Sequence, residues 1–211
     1  MIISRRSTRN QTCERSWSAR RNPPSPRNFS DIVADYVRKY RAAGRQESKY
    51  YSQAPSLAVA IDRAAGCCRQ DGKRQSHQRR LSVRVLATAK ESLKSATSEL
   101  RRCHSFDELL TEVRKQIGRW KGIGPLAVYD IAVRVGWYLK LEPKIIYLHA
   151  GTTEGAKVLG LDCRRKFVTV EDLPREFVRL RPGEIEDCLC IYREELRSIA
   201  GEFLRRSELP Q

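Results

Sequence analysis

The stretch Lys121-Gly122-Ile123-Gly124-Pro125 combines residue types that suit the binding of a phosphate group. Two glycines allow the backbone to turn tightly and to come close to a ligand. A helical pattern resumes directly after them, and a helix N-terminus offers unpaired N–H groups to an anion. Lys121 adds a cation, and we expect Ile123 to pack back against the core. The stretch therefore predicts a phosphate-binding turn; a simple helical corner with a glycine cap is the alternative.

A second polar group, His149-Ala150-Gly151-Thr152-Thr153-Glu154, contains two catalytic candidates, His149 and Glu154. His149 and Glu154 could form an acid–base pair or contact a base. The pattern favours a structural interpretation, in which Thr152 or Thr153 caps a helix and Glu154 lies in its first turn. His149 is then a partly buried structural residue.

Residues 69–80 predict a basic loop, in which Asp71-Gly72 marks a turn. The candidate phosphate contacts in it are Lys73, Arg74, His77, Arg79 and Arg80. We interpret His77 as a solvated, phosphate-facing residue rather than a catalyst.

The seven cysteines are irregularly spaced and include no Cys-x-x-Cys pair. This spacing supports neither a zinc ribbon nor a redox motif, so we expect no metal and no other cofactor. A metal site formed by Cys103, His104, Cys188 and Cys190 is an alternative without support from the spacing. Reduced thiols are typical of a reducing, intracellular compartment, so we expect a cytoplasmic protein.

The composition favours a polyanionic partner. Lys and Arg number 41 and Asp and Glu number 25 in 211 residues, which gives a formal charge of +16. Nucleic acid is the commonest partner of so basic a chain, although an anionic membrane surface or an acidic protein would also suit the charge. No apolar run is long enough to cross a bilayer, so we expect no membrane-spanning segment.

Apolar residues recur at three- and four-residue spacing in several segments, which predicts an all-α fold. We expect a compact bundle of six to eight helices over residues 28–211 and a disordered basic arm over residues 1–27, which hold seven Arg and one acidic residue. The arm also loosely resembles an organelle transit peptide. The predicted helices cover about 28–43 (ended by Gly44), 56–65, 81–100, a segment opened by the capping box Ser105–Glu108, 124–139, 151–159 and 182–203. Residues 167–170 are β-prone but isolated, and Glu184, Glu186 and Asp187 suit the first turn of the last helix.

The region around the glycines resembles the helix-hairpin-helix superfamily, and within it the base-excision DNA glycosylases. Gly122-Ile123-Gly124-Pro125 matches the hairpin, residues 132–137 continue its second helix, and residues 143–148 resemble the apolar stretch that follows. The resemblance covers about residues 105–160, with the motif itself at about 106–139. It implies a scaffold that binds duplex DNA.

Three departures separate the chain from active glycosylases. Bifunctional members carry a Lys two residues beyond the second hairpin glycine, where this chain has Leu126. The Asp expected after the apolar stretch is absent, and so is the cluster of four Cys that holds an iron–sulfur site in some relatives. We therefore expect a protein that binds the nucleic-acid backbone without glycosylase activity. One alternative is a glycosylase or lyase with non-standard acid chemistry through Glu154 or Asp130, although a helix-surface pair with Arg134 explains Asp130 better. The other is a protein-interaction module.

Overall fold

The computed structural model describes residues 26–75, 78 and 80–207, with side chains up to residue 201. Within these ranges the protein is mostly helical, with ten α-helices and one two-stranded sheet, which confirms the all-α prediction. The expected six to eight helices were too few. The proposed basic arm lies, except for Pro26 and Arg27, outside the described residues.

The helices are α1 (Phe29–Lys39), α2 (Arg41–Ser52), α3 (Leu57–Ala65), α4 (Val83–Ser95), α5 (Thr97–Arg101), α6 (Phe106–Ile117), α7 (Pro125–Leu139), α8 (Ala150–Val158), α9 (Pro182–Ile191) and α10 (Arg193–Ser207). The strands are β1 (Ile146–Tyr147) and β2 (Phe167–Val168), and short 3₁₀ helices cover Val170–Asp172 and Arg175–Arg179.

Side-chain caps fix three of the helix starts. Asn28, Ser56 and Ser105 each accept a hydrogen bond from the backbone N–H three residues later, at 2.9, 3.3 and 3.2 Å. Each cap satisfies a donor that the helix itself leaves unpaired. The Glu108 carboxylate accepts from the N–H of His104 at 2.8 Å, one residue earlier than an ideal capping box.

Three predicted helices are divided in the structure, at Tyr40, Ala96 and Tyr192, which explains the higher count. The prediction that Gly44 ends a helix was wrong, because it lies inside α2. The low helix propensity of glycine is a weak signal that tertiary packing overrides, and α2 packs along α7.

Two apolar cores divide the helices into two lobes. The first lobe comprises α2–α7 and buries side chains such as Tyr51, Leu93 and Ile131. The second lobe comprises α1, α8–α10 and the sheet, and buries Ile32 and Phe177. The chain passes from one lobe to the other between α1 and α2 and between α7 and β1. At the boundary between the lobes, α7 faces α9.

The sheet holds the start of α8 in place. β1 pairs antiparallel with β2, with Ile146 opposite Val168 and Tyr147 opposite Phe167. The β-prone residues 167–168 thus find their partner in the apolar stretch before His149. None of the described helices is long and apolar enough to span a membrane.

Candidate nucleic-acid interface and interlobe cleft

The turn between α6 and α7, residues 118–124, is here called the glycine hairpin. The N–H of Trp120 donates to the carbonyl of Ile117 at 3.2 Å, and the N–H of Ile123 donates to Trp120 at 3.0 Å. Gly122 has φ +100°, a backbone conformation that side chains with a Cβ rarely adopt. Ile123 is buried and packs into the first core, as expected from the sequence.

Gly124 has a different role from the one the sequence suggested. Its φ of −85° and ψ of 172° are open to any residue, so the turn itself does not require a glycine there. It is the N-cap of α7, ahead of Pro125. A Cβ placed on Gly122 or on Gly124 would meet no atom within 4 Å, so both face open space that a ligand could enter.

The start of α7 presents free donors beside this open space. Its first backbone hydrogen bond runs from the N–H of Val128 to the carbonyl of Gly124, at 3.1 Å. Among the described residues, none accepts from the N–H groups of Gly124, Leu126 or Ala127. Lys121 is exposed and has no ion-pair partner in the described part of the chain. The local geometry suits an anion.

The basic loop is attached to the second helix of the hairpin. The side chain of Gln78 is buried and bonded to two residues of α7, Asp130 and Arg134. Lys73 and Arg80 are exposed, whereas Arg74 is half-buried and donates to the carbonyl of Leu81 at 2.6 Å. His77 and Arg79 lie outside the described residues. Through Gln78, the structure therefore joins the predicted loop to α7.

A cleft of about 350 Å³ lies between the lobes. Its walls come from α2, from α7 and from the beginning of α9. Acidic side chains outnumber basic ones among its lining residues: Glu47, Asp130, Glu142, Glu184, Glu186 and Asp187 face Arg41, Arg45, Arg134 and Arg181. Tyr36, Tyr129 and Trp137 supply aromatic surface.

Arginine neutralises some of these acids but not all. Arg41 binds the Glu184 carboxylate through two nitrogens, at 2.7 and 2.8 Å. Glu186 instead accepts from the hydroxyl of Tyr129 at 2.5 Å, and Asp187 accepts from the hydroxyl of Tyr36 at 3.1 Å. No Lys or Arg of the described ranges lies within ion-pair distance of Glu186 or Asp187.

Burial without a cation changes the proton affinity of these groups. Loss of hydration raises the pKa of Glu186 to about 8, and the nearby Asp187 and Asp130 act in the same direction. Loss of hydration also raises the pKa of Asp187, to about 6, and the charges of Glu47 and Asp130 act in the same direction. Glu186 therefore holds its proton at neutral pH.

His149 lies next to both Tyr129 and Glu186. Its ring centroid is 4.3 Å from that of Tyr129, and its Nε2 is 3.6 Å from Glu186 Oε1, beyond hydrogen-bonding distance. Burial lowers the pKa of His149, and its buried Nε2 has no hydrogen-bond partner in the described structure. A neutral carboxylic acid thus faces a neutral imidazole.

Glu154, the other catalytic candidate from the sequence, forms no ion pair with His149. It is exposed and pairs with Lys157 at 3.1 Å. The sequence suggested that Thr152 or Thr153 caps α8, and this was wrong. His149 is the N-cap, and Thr152 is buried within the helix. Glu154 is consequently the fifth residue of α8, beyond its first turn.

Sequence reasoning missed Glu186 and Tyr129 as members of one cluster. The acidic residues of α9 looked like ordinary first-turn acids, and no local spacing connects them with α7. The described cysteines are all free, and within the described ranges no three His, Cys, Asp or Glu side chains form a group that could hold a metal ion.

In comparisons with known proteins, no family model, curated protein or solved structure matches this chain. Functional conclusions therefore rest on its own residues.

Proposed function

We propose that this protein binds the phosphate backbone of duplex DNA, with α6, the glycine hairpin and α7 acting as a helix-hairpin-helix element. The observation that carries the proposal is the open face of the hairpin. Gly122 and Gly124 leave space for a phosphate, and the N–H groups at the start of α7 are free to donate to it. Exposed Lys121 supplies a charge beside them.

The surrounding charge supports the same partner. Lys73 and Arg80 of the basic loop are exposed and have no ion-pair partner in the described part of the chain, so their charge is available to phosphates. The net charge of +16 would draw DNA towards the protein from a distance. The free thiols of the described cysteines suit a reducing compartment such as the cytoplasm.

Backbone binding fits the hairpin better than the cleft. Even with Glu186 protonated, five carboxylates line the cleft against four arginines, so a phosphate entering it would meet a small net repulsion. The hairpin presents backbone donors and the exposed side chains of Arg119 and Lys121 to the solvent, and it contains no acidic residue. The two surfaces can therefore be separated by mutation.

The test is Gly124→Val, measured by fluorescence anisotropy on a short duplex at low and moderate salt. Valine can adopt the backbone angles of Gly124, and its Cβ would meet no protein atom within 4 Å, so the fold should survive. Its side chain would occupy the space of the phosphate. We expect affinity to fall more than tenfold, which corresponds to about 1.4 kcal/mol.

Gly183→Val is the matched control, because Gly183 also lies at a helix start and faces open space, in the cleft rather than on the hairpin. It should bind DNA like the parent. If Gly124→Val remains folded and binds as well as the parent does, the hairpin is not the binding element.

A second candidate function is hydrolysis of a base–sugar bond in DNA, favoured by the protonated Glu186 in the cleft. Its carboxylic acid could donate a proton to the departing base while water adds to C1′ of the sugar and returns a proton to the carboxylate. The missing Asp and Lys of the glycosylases make this the second choice. Incubation with duplexes that contain damaged bases tests it: release of a base by the parent and not by Glu186→Gln would establish the activity.

A further inference from the structure

Gln78 is unusual among the residues of the basic loop. Its surface is only 2% exposed, whereas Lys73 and Arg80 on either side of it are exposed. A buried primary amide is unfavourable unless its donors and acceptor find partners. A fully buried glutamine in an otherwise polar surface loop therefore needs a structural or functional reason.

Both ends of this amide are bonded to α7. Gln78 Nε2 donates to Asp130 Oδ2, and Arg134 Nη1 donates to Gln78 Oε1, each at 2.8 Å. Asp130 and Arg134 lie six and ten residues beyond Gly124, which is about 9 and 15 Å along the helix axis. The amide thus ties the loop to the same rigid helix whose N-terminus forms the proposed phosphate site.

A second glutamine fixes the approach of the loop from the other side. Gln75 Nε2 donates to Glu47 Oε1 of α2 at 2.6 Å, and the Gln75 N–H donates to the carbonyl of Cys67 at 2.9 Å. Gln78 is the only described residue of the loop whose side chain bonds to α7. Among the described residues, this amide is therefore the side-chain link between the loop and α7.

We propose that Gln78 is a positioning residue that holds the basic loop beside the glycine hairpin, so that both engage one DNA duplex. This inference rests on the proposed function. A neutral amide suits the role, because the loop already carries several like charges that repel one another. With the loop fixed before binding, less conformational freedom is lost when its cations meet the phosphates.

The geometry makes the inference testable without loss of the fold. Asp130 and Arg134 are four residues apart on one helix, so they can pair directly when the amide is removed. Gln78→Ala would therefore leave no isolated buried charge on α7. Gln78→Met keeps the volume of the side chain and removes both hydrogen bonds, and it serves as a second variant.

The measurement is duplex affinity across a salt series, with the melting temperature of each variant. If Gln78 places Lys73 and Arg80 on the phosphates, both variants should bind roughly tenfold more weakly. The slope of log affinity against log salt should also fall by the amount expected for about two phosphate contacts. Tyr192→Phe is the control, because it removes a buried hydrogen bond to Asp35 in the second lobe. It should change the melting temperature and leave the salt dependence unchanged.

A double-mutant comparison separates positioning from general destabilisation. In a Lys73→Ala/Arg80→Ala background, Gln78→Ala should weaken binding by less than twofold, because the cations it positions are already absent. Full additivity would overturn the inference, and so would an unchanged salt dependence in Lys73→Ala/Arg80→Ala itself. Failure of the parent to bind DNA would overturn the proposed function together with this inference, whereas a parent that binds and a Gln78→Ala variant with the parent's salt dependence would overturn only the role of Gln78.

Discussion

The beginning and the middle of α7 lie in very different surroundings. At its beginning, the glycine hairpin offers unpaired backbone donors and exposed Lys121 to solvent. One turn later, Tyr129 is buried and its hydroxyl is bonded to Glu186 in the interlobe cleft. One helix therefore serves an open cationic surface and an enclosed acidic one.

This difference shows how binding and chemistry require different environments. Holding a phosphate needs donors and charges that water can reach until the ligand arrives. Proton transfer at neutral pH needs a group whose proton affinity has been moved, and burial beside Asp187 and Asp130 does this for Glu186. The hairpin has the first property and the cleft has the second.

The largest effect is expected from Glu186→Gln, measured as stability against pH. The pKa of Glu186 is raised from 4.5 to about 8 in the folded protein, so the folded state binds the proton more tightly than the unfolded state does. Stability contributed by this group is fully present below pH 4.5 and is lost as the pH rises through 8. At about pH 9 the neutral glutamine should stabilise the protein by several kcal/mol relative to the parent, because one pKa unit corresponds to about 1.4 kcal/mol.

Glu184→Gln is the control, two residues earlier on α9. The guanidinium of Arg41 lowers the pKa of Glu184, so its stabilising effect is present above the ordinary pKa and is lost as the pH falls. This variant should therefore be destabilised at neutral pH and approach the parent in acid. Denaturation curves in which Glu186→Gln shows no gain at alkaline pH would mean that the folded protein does not raise the pKa of Glu186, and the contrast between hairpin and cleft would disappear.

The turn between α6 and α7 could be predicted from the sequence because its information is local. Glycines, a proline and the flanking helical periodicity all lie within about twenty residues, and backbone geometry follows from such neighbours. The caps at Asn28, Ser56 and Ser105 were predictable for the same reason. The role of Gly124 was misjudged, since only coordinates reveal that its φ is ordinary while that of Gly122 is not.

The cleft could not be predicted in this way. Tyr129 and Glu186 are 57 positions apart, and their contact depends on how the two lobes pack. His149 was selected from the sequence, but its predicted companion Glu154 was taken from the same short segment. Its actual neighbour comes from α9, whose acids are also ordinary features of a helix start. Long-range packing, which the periodicity of a single sequence does not encode, places Glu186 rather than Glu154 beside His149.

An intermediate effect is expected from Gly122→Ala compared with Gly160→Ala. Both glycines have positive φ and both face open space, so each substitution should cost about 1–2 kcal/mol of stability through backbone strain alone. Only Gly122 lies in the hairpin. Gly122→Ala should therefore also weaken DNA binding severalfold, whereas Gly160→Ala should leave it unchanged. Equal binding by the two variants at equal stability would remove the hairpin from the interface.

The smallest effect is expected from Lys121→Ala compared with Lys157→Ala. Each removes one positive charge from an exposed lysine, so the long-range attraction to DNA changes equally. Lys157 is paired with Glu154 at 3.1 Å, whereas Lys121 has no such partner among the described residues and lies beside the proposed phosphate. Loss of one phosphate contact should lower the slope of log affinity against log salt by about 0.9 for Lys121→Ala and by much less for Lys157→Ala. Because the two variants share the same net charge, a salt titration of both on one duplex isolates local contact from overall charge. Identical slopes would show that the hairpin lysine acts only through the general field of the protein, and that backbone donors alone distinguish this surface from the rest.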